Sequence, residues 1–198
     1  MRLLFTVAVE AERDALARAD VLVTGVGPAA SAAVTSAALA SDRYDLVVCS
    51  GIGGGIAPLC PGDIAIASSC VFADLGAESP DGFLSFDFAT DRYEVEPKLA
   101  VELADRTGGH LGTVLTVATV TGTQASVQAL LTRYPDAVAE GMEGAGVAAA
   151  AAHHGVPFAE VRAISNLVGP RDRDSWRVPQ ALEALRGALD AVAQGWRA

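Results

Sequence analysis

The sequence predicts an α/β fold, in which one three-layer domain carries a mixed, mostly parallel central sheet flanked by helices. Short apolar or β-branched runs alternate along the chain with longer alanine-rich helical patterns, as is typical of parallel strands covered by helices. The length of 198 residues, with 51% hydrophobic and 19% charged side chains, favours one globular domain over residues 1–198.

Each element follows from a local pattern. An apolar run at the N-terminus predicts the first strand, and the acids that follow it open the first helix. A glycine turn at 24–27 then precedes Pro28, which suits the first turn of an alanine-rich helix. Strands are expected near 2–9, 20–25, 45–50, 62–73, 111–120, 136–141 and 157–165. Helices are expected near 10–18, 28–41, 96–107, 123–133, 143–154 and 178–195.

Residues 74–94 contain turn residues and three phenylalanines without a clear period. This composition predicts a long surface loop, and loops of this kind often cover active sites.

Composition excludes several classes of function. The net charge of −10 and the single lysine, Lys98, argue against a nucleic-acid partner. Apolar runs are far shorter than the ~20 residues of a membrane span, which predicts a soluble protein without a membrane partner. Cys49, Cys60 and Cys70 lack a CxxC pattern, so free buried thiols and a cytoplasmic location are expected.

Two glycine clusters follow predicted strands. The stretch from Gly25 to Ala30 has the G-x-G-x-x-A spacing of a dinucleotide site, but the following strand lacks the acid expected at its end, so a tight turn is the alternative. The stretch from Ser50 to Gly55 exposes backbone N–H groups at a strand end, where a ligand approaches easily. A purely structural chain reversal is the alternative for this second cluster.

Three further motifs join these clusters: VAVEAE at 7–12, EGMEGAGVA at 140–148 and RAISNLVG at 162–169. Together, and in this order, they resemble the purine nucleoside phosphorylase and nucleosidase superfamily, and within it the futalosine hydrolases. The resemblance runs from Val7 to about Trp176. It implies a nucleoside phosphorylase-like fold and release of hypoxanthine from futalosine, an intermediate of an alternative menaquinone pathway, without a metal or organic cofactor.

The resemblance also implies roles for several residues. Glu12 takes the place of the carboxylate that positions and deprotonates water, although an acid here also suits a helix N-terminus. Met142 and Glu143 match a pair in which the methionine packs near the ribose and the glutamate accepts hydrogen bonds from its hydroxyls. Gly53 and Gly54 are expected to bind the ribose and base.

Asn166 departs from the adenine-specific nucleosidases, which resemble this chain but place an aspartate there. An amide cannot deliver a proton, but its NH₂ can donate to N7 or O6 of hypoxanthine. The residue therefore favours a 6-oxopurine, although asparagine also pairs with the edge of adenine.

Futalosine carries a benzoate on its 5′ side, and an arginine fork pairs well with a carboxylate. Arg171 and Arg173 are therefore predicted to bind that carboxylate, with a structural salt-bridge loop as the alternative. Phe83, with the other phenylalanines near the long loop, is a candidate wall for the aryl group. Phosphorylases of the superfamily bring arginines to phosphate near the first loop, whereas this chain has Glu10 and Glu12 there, so hydrolysis is expected.

The leading hypothesis is an N-ribosyl hydrolase acting on a small-molecule purine nucleoside. The alternatives are a methylthioadenosine/adenosylhomocysteine or aminofutalosine nucleosidase, and a nucleoside-binding module without turnover. Related folds often complete the pocket across a dimer interface, so a homo-oligomer, a dimer or larger, is expected. The three histidines, His110, His153 and His154, have no metal-ligand spacing and are assigned no chemistry.

Overall fold

The computed structural model describes residues 1–16 and 20–195. The strands are β1 (Leu3–Val7), β2 (Val21–Val23), β3 (Leu46–Gly55), β4 (Ile64–Phe72), β5 (Ala77–Ser79), β6 (Gly82–Leu84), β7 (Arg92–Glu94), β8 (His110–Thr116), β9 (Ala137–Gly141) and β10 (Phe158–Leu167). The helices are α1 (Glu10–Leu16), α2 (Pro28–Ser41), α3 (Pro97–Thr107), α4 (Gln124–Arg133), α5 (Gly144–His154) and α6 (Val178–Gly195). A short 3₁₀ helix covers Arg173–Ser175.

The main sheet is mixed. Its strand order is β10-β4-β8-β9-β3-β1-β2, β7 pairs with β4, and β10 also pairs with β3. The pairs β1–β2, β1–β3, β3–β10, β4–β8 and β8–β9 are parallel. The pairs β4–β10, β3–β9 and β4–β7 are antiparallel. The predicted α/β class with a mixed, mostly parallel sheet is confirmed.

Helices cover the sheet on both sides. Helix α5 packs against α2 and the sheet, where its alanines join a core cluster with Val47, Val114 and Ile164. Helix α6 packs against α1 and α3 on the strands that carry Phe5, Val48 and Val161. Small residues suit these contacts because they let a helix lie close to its neighbours.

The predicted elements match the described ones to within about two residues at most ends, but strand β8 ends at Thr116 and not at the predicted residue 120, and there are three other differences. Residues 17 and 18 of the first predicted helix lie outside the described residues. Strand β3 continues to Gly55, past the predicted end at residue 50, because its glycine-rich half pairs with both β10 and β9. Glycine has a low strand propensity, so pairing partners far along the chain decide this extension.

Segment 74–94 is the third difference, because it is more ordered than the expected loop. Strands β5 and β6 form a hairpin, and β7 adds to the main sheet beside β4. Each of these strands has only three residues, too few to show an alternating pattern in the sequence. Within the described residues, no helix has the length and apolar character needed to cross a bilayer.

Strand ends bring the motifs of the sequence together. Strands β1, β3 and β10 run parallel, so the residues that follow or end them share one edge of the sheet. Strand β9 reaches the same place from the other direction, because Glu140 pairs with Gly54. This edge is where ligands of α/β sheets bind.

Candidate active site

A cavity of about 760 Å³ opens at this edge of the sheet. It brings together seven of the nine predicted site residues: Glu12, Gly53, Gly54, Met142, Glu143, Asn166 and Arg171. Its remaining lining is mostly apolar and includes Val9, Ile52, Val120 and Val168. A concave, mostly apolar site with a few charged groups is typical of a small-molecule pocket.

Glu12 lies on α1 and is buried, with 4% of its surface exposed. Three backbone N–H groups donate to its carboxylate, from Ala8 at 2.9 Å, Val9 at 3.2 Å and Ile52 at 2.9 Å. The carboxylate is thus fixed between β1 and β3 at the cavity wall. An acid that only stabilised the start of a helix would need contacts near its own turn, whereas Glu12 also accepts from Ile52 on strand β3.

Gly51 explains why the glycine run in β3 matters for this carboxylate. A Cβ at this position would stand 2.7 Å from Glu12 Oε1 and 2.8 Å from a guanidinium nitrogen of Arg162. Any larger residue would push the two charged groups away. The absence of a side chain here therefore makes room for charged protein groups as well as for a ligand.

Glu143 follows β9, and it is also buried. Its carboxylate accepts from the backbone N–H of Gly27 at 3.2 Å, from that of Met142 at 3.3 Å and from Arg162 at 3.2 Å. The donor at Gly27 belongs to the glycine turn before α2, where Gly27 has a φ of 95°. This turn, which carries the loose dinucleotide spacing, thus holds a carboxylate in the cavity.

Arg162 lines the cavity and Glu160 lies behind it, and the sequence motifs predict no role for either residue. Arg162 is 1% exposed, and its Nε donates to Glu160 Oε1 at 2.8 Å. Burial alone would lower the pKa of Arg162, but the neighbouring carboxylates of Glu160 and Glu143 raise it above its ordinary value. The side chain is a buried cation. Two charged residues at alternate positions of the apolar strand FAEVRAISNL were the signal for this pair.

Asn166 lies near the end of β10 beside a serine that orients it. The hydroxyl of Ser165 lies 2.8 Å from Oδ1 of Asn166, and Nδ2 donates to the backbone oxygen of Leu167 at 2.9 Å. One N–H of the amide is left for another acceptor. The Ser165 hydroxyl also lies 3.2 Å from the backbone oxygen of Gly53, which ties this group to β3.

The segment after β10 forms one end of the cavity. Arg171 and Trp176 both line it, and the Arg171 guanidinium carbon lies 5.3 Å from the centre of the indole ring. Trp176 had no predicted role, although an aromatic residue close to two arginines could have suggested one. It gives this end of the cavity a flat aromatic surface.

Two predicted members of this part of the site lie elsewhere. Arg173 does not line the cavity, since it starts the 3₁₀ helix and is exposed, with its guanidinium carbon 5.7 Å from the Trp176 ring centre. Phe83 also lies outside the cavity lining, because the β5–β6 hairpin places its ring 3.9 Å from the Arg133 guanidinium carbon. The predicted aryl wall in this segment is therefore not part of the cavity lining.

Glu140 is a further buried carboxylate at the cavity. It accepts from the backbone N–H of Thr121 at 2.9 Å and from the hydroxyl of the same residue. Burial raises the pKa of Glu140, the two Thr121 hydrogen bonds lower it, and Asp74 raises it, with a net upward shift. Glu140 thus ties the segment after β8 to the cavity wall.

The cysteines are free, but they differ in burial. Cys49 and Cys70 are buried as predicted, whereas Cys60 is exposed in the turn before β4, where its N–H donates to Asp63. Burial raises the pKa of both buried thiols, which keeps them protonated. Among residues 1–16 and 20–195, no group of three or more His, Cys, Asp and Glu side chains is placed to hold a metal ion.

Comparisons with known proteins identify the family of the chain. The family model of the Phosphorylase superfamily matches residues 17–194. A futalosine hydrolase of Streptomyces coelicolor is 46% identical over 231 aligned residues, which cover 100% of this chain and 98% of the relative. A futalosine hydrolase of Acidothermus cellulolyticus is 49% identical over 188 residues, or 91% of this chain and 77% of the relative.

A solved structure shares the fold at low identity. The S-adenosylhomocysteine nucleosidase of Streptococcus pyogenes, crystallised in complex with 5-methylthiotubericidin, superposes with a TM-score of 0.88 at 19% identity. The superposition covers 100% of this chain and 98% of that structure.

Proposed function

The chain belongs to the phosphorylase superfamily, and we propose that it is a futalosine hydrolase that releases hypoxanthine by water attack at the anomeric carbon of the ribose. The observation that carries the proposal is the position of Glu12 and Glu143. The two residues are far apart in the sequence, yet both are buried carboxylates that line one cavity together with Asn166.

Glu12 is proposed as the general base. The base must hold a water molecule against the anomeric carbon and take its proton as the C–O bond forms and the C–N bond breaks. Three backbone N–H groups fix the Glu12 carboxylate in one orientation, which favours such positioning. The buried guanidinium of Arg162, close to the same part of the wall, supplies a further donor for that water.

Glu143 and Met142 are proposed to hold the ribose. Hydrolysis of an N-ribosidic bond passes through a sugar with oxocarbenium character, and a carboxylate beside the ring stabilises that positive charge. Glu143 also has acceptor oxygens for the ribose hydroxyls. Gly53 and Gly54 line the same region and leave the backbone open to the sugar and base.

Asn166 is proposed to read the base. Its free amide N–H can donate to N7 or O6 of hypoxanthine, and the Ser165 hydroxyl holds its oxygen away from that edge. The amide stabilises the departing base without giving it a proton, so the base takes its proton from solvent. A 6-oxopurine therefore fits this residue better than adenine does.

Arg171 is proposed to bind the carboxylate of the 5′ substituent, with Trp176 beside the aryl ring. Arg173 stays a weaker proposal for the same carboxylate, since it lies next to this region without lining the cavity. Water is the proposed nucleophile in place of phosphate, because Arg162 is engaged by two carboxylates and the first loop is acidic. No metal or organic cofactor takes part in this proposal.

Further parts of the proposal concern the setting of the enzyme. We place it in the alternative menaquinone pathway and in the cytoplasm, where free thiols such as those of Cys49, Cys60 and Cys70 persist.

A homo-oligomer is proposed as well, because Val9, Val120 and Leu167 line the cavity while each stays more than a third exposed. A second copy that covers this apolar rim would close the site.

A substrate panel tests the proposed function. Futalosine, aminofutalosine, inosine and methylthioadenosine are incubated with the enzyme, and released hypoxanthine and adenine are measured by chromatography. Futalosine should be cleaved fastest. Preference for methylthioadenosine would instead assign the chain to the adenine nucleosidases, and failure to cleave any of the four would favour a binding protein.

A further inference from the structure

Glu160 is a buried carboxylate outside the cavity lining. It lies on β10 with no exposed surface, and its side chain stands under the first residue of α5. A Cβ on Gly144 would clash with Glu160 Oε2, so only glycine leaves room for the carboxylate there. A fully buried charge is costly unless it is paired, and this one needs an explanation that substrate contact does not provide.

The partners of Glu160 connect it to the site. Its Oε1 accepts from Arg162 Nε at 2.8 Å, and its Oε2 accepts from the thiol of Cys70 at 2.7 Å. Arg162 in turn donates to Glu143 at 3.2 Å. A continuous buried chain therefore runs from Cys70 through Glu160 and Arg162 to the carboxylate that faces the ribose.

The charges along this chain raise a problem for catalysis. The proposed reaction builds positive charge on the ribose, and Glu143 is the carboxylate that would stabilise it. The Arg162 guanidinium, which is bound to the same carboxylate, weakens this stabilisation in two ways. Its positive charge offsets the negative charge of Glu143, and it repels the positive charge that develops on the ribose. In the described residues, Glu160 is the second carboxylate on the Arg162 guanidinium.

We infer that Glu160 is a positioning residue whose charge neutralises Arg162, so that Glu143 keeps its negative charge for the cationic ribose of the transition state. This inference rests on the proposed function. The Cys70 thiol holds the second oxygen of Glu160, and the N-terminus of α5 beside it favours a negative charge. Arg162 is thus kept as a fixed donor at the cavity wall without acting as an uncompensated cation.

The experiment compares two ligands that differ in charge. One is 9-deazainosine, a neutral carbon-linked nucleoside analogue, and the other is the same compound with its ribose replaced by a protonated iminoribitol. The wild type should bind the cation more tightly. In Glu160→Gln, which keeps an acceptor for Arg162 but removes the charge, the ratio of the two affinities should fall by about tenfold or more. A smaller fraction of folded protein lowers both apparent affinities by the same factor, so it does not change their ratio.

Two further variants separate charge from packing. Glu160→Gln combined with Arg162→Met removes both charges, and the affinity ratio should return to within about threefold of the wild type, since no uncompensated cation remains. If the single variant does not fold, the affinity ratio of this double variant is compared directly with that of the wild type. Cys70→Ala keeps both charges and should leave the ratio unchanged.

The outcomes are distinct. An unchanged ratio in folded Glu160→Gln, a tenfold lower ratio in the double variant, or an equal fall in Cys70→Ala would each overturn the inference. Hydrolysis of futalosine by the wild type is measured in parallel. Its absence would overturn the proposed function itself, and this is read on the wild type alone, before any variant is considered.

Discussion

Three of the four buried glutamates that the structure describes at or behind the cavity, Glu12, Glu143 and Glu160, have different surroundings, and these surroundings indicate different tasks. Among the described residues, the donors to Glu12 are backbone N–H groups. Glu143 accepts from backbone N–H groups and from the Arg162 guanidinium, and Glu160 accepts from that guanidinium and from a thiol. Only the first two line the cavity. Glu12 and Glu143 can therefore act on a bound substrate, whereas Glu160 can act only through its neighbours.

Glu12→Gln tests the proposed base. The amide keeps the size of the side chain but cannot take a proton from water, so kcat should fall by about 10²–10⁴-fold. Affinity for 9-deazainosine and the melting temperature should change little, although the backbone N–H groups that faced the carboxylate will meet one amide NH₂. Steady-state kinetics and calorimetry check both. Turnover at the wild-type level would remove Glu12 from the mechanism.

Asn166→Asp tests the reading of the base. Futalosine should be preferred over aminofutalosine in the wild type by about ten- to a hundredfold in kcat/KM, the worth of one matched polar contact in a buried site. A carboxyl at this position lies against the Leu167 carbonyl oxygen, which favours its protonated form, able to give a proton to N7 of adenine. The preference should then narrow or invert.

Equal cleavage of both bases by the wild type and by this variant would show that Asn166 does not read the base. Ser165→Ala is the matched control for orientation. It frees the amide to rotate without changing its chemistry, so it should narrow the preference less than the aspartate does.

Arg171→Gln tests the binding of the 5′ carboxylate. Because Arg171 is exposed, the loss should be modest: KM for futalosine should rise by about fivefold, while KM for inosine, which lacks the aryl group, stays unchanged. Arg173→Gln is the comparison: because that side chain does not line the cavity and has the weaker proposed role, it should raise the KM for futalosine less than Arg171→Gln does. A rise of equal size for inosine would show that Arg171 does not recognise the 5′ group.

At the scale of elements, the junction of β10 and α5 decides how the buried ions fit. Gly144→Ala places a methyl group against the buried carboxylate of Glu160, which is itself held by Arg162 and Cys70. We expect a loss of about 2 kcal/mol or more in the free energy of unfolding, the usual effect of overpacking a core. Chemical denaturation measures it.

Gly187→Ala is the matched control for this substitution. Gly187 also lies in a helix, α6, but a Cβ there meets nothing within 4 Å. The change should stabilise the protein by about 0.5–1 kcal/mol, because alanine is the better helix former. A similar effect of both substitutions would mean that Glu160 does not depend on the space at Gly144.

The elements also show what the sequence can predict. Helices and long strands were predicted because their apolar periods are local, as in β4, β8 and α6. The hairpin of β5 and β6, strand β7 and the second half of β3 were not, because pairing with distant residues creates them. Site residues whose roles depend on neighbours distant in the sequence are likewise not predicted. Motifs gave Glu12, Glu143 and Asn166, whereas the roles of Arg162 and Trp176 depend on three-dimensional neighbours.

At the scale of the whole molecule, the superfamily fold gathers three buried carboxylates, those of Glu12, Glu140 and Glu143, and the exposed Arg171 around one cavity. The proposed function assigns Glu12 to the water, Glu143 to the ribose and Arg171 to the 5′ carboxylate. This distribution suits a nucleoside with a negatively charged 5′ substituent that is cleaved by water.

The dependence of futalosine cleavage on phosphate tests this central claim most directly. The enzyme is incubated with futalosine in buffer with and without inorganic phosphate, and the products are identified by mass spectrometry. We expect the same rate in both buffers, with hypoxanthine and a free ribose-type sugar as products. A rate that requires phosphate, together with a sugar 1-phosphate, would contradict it.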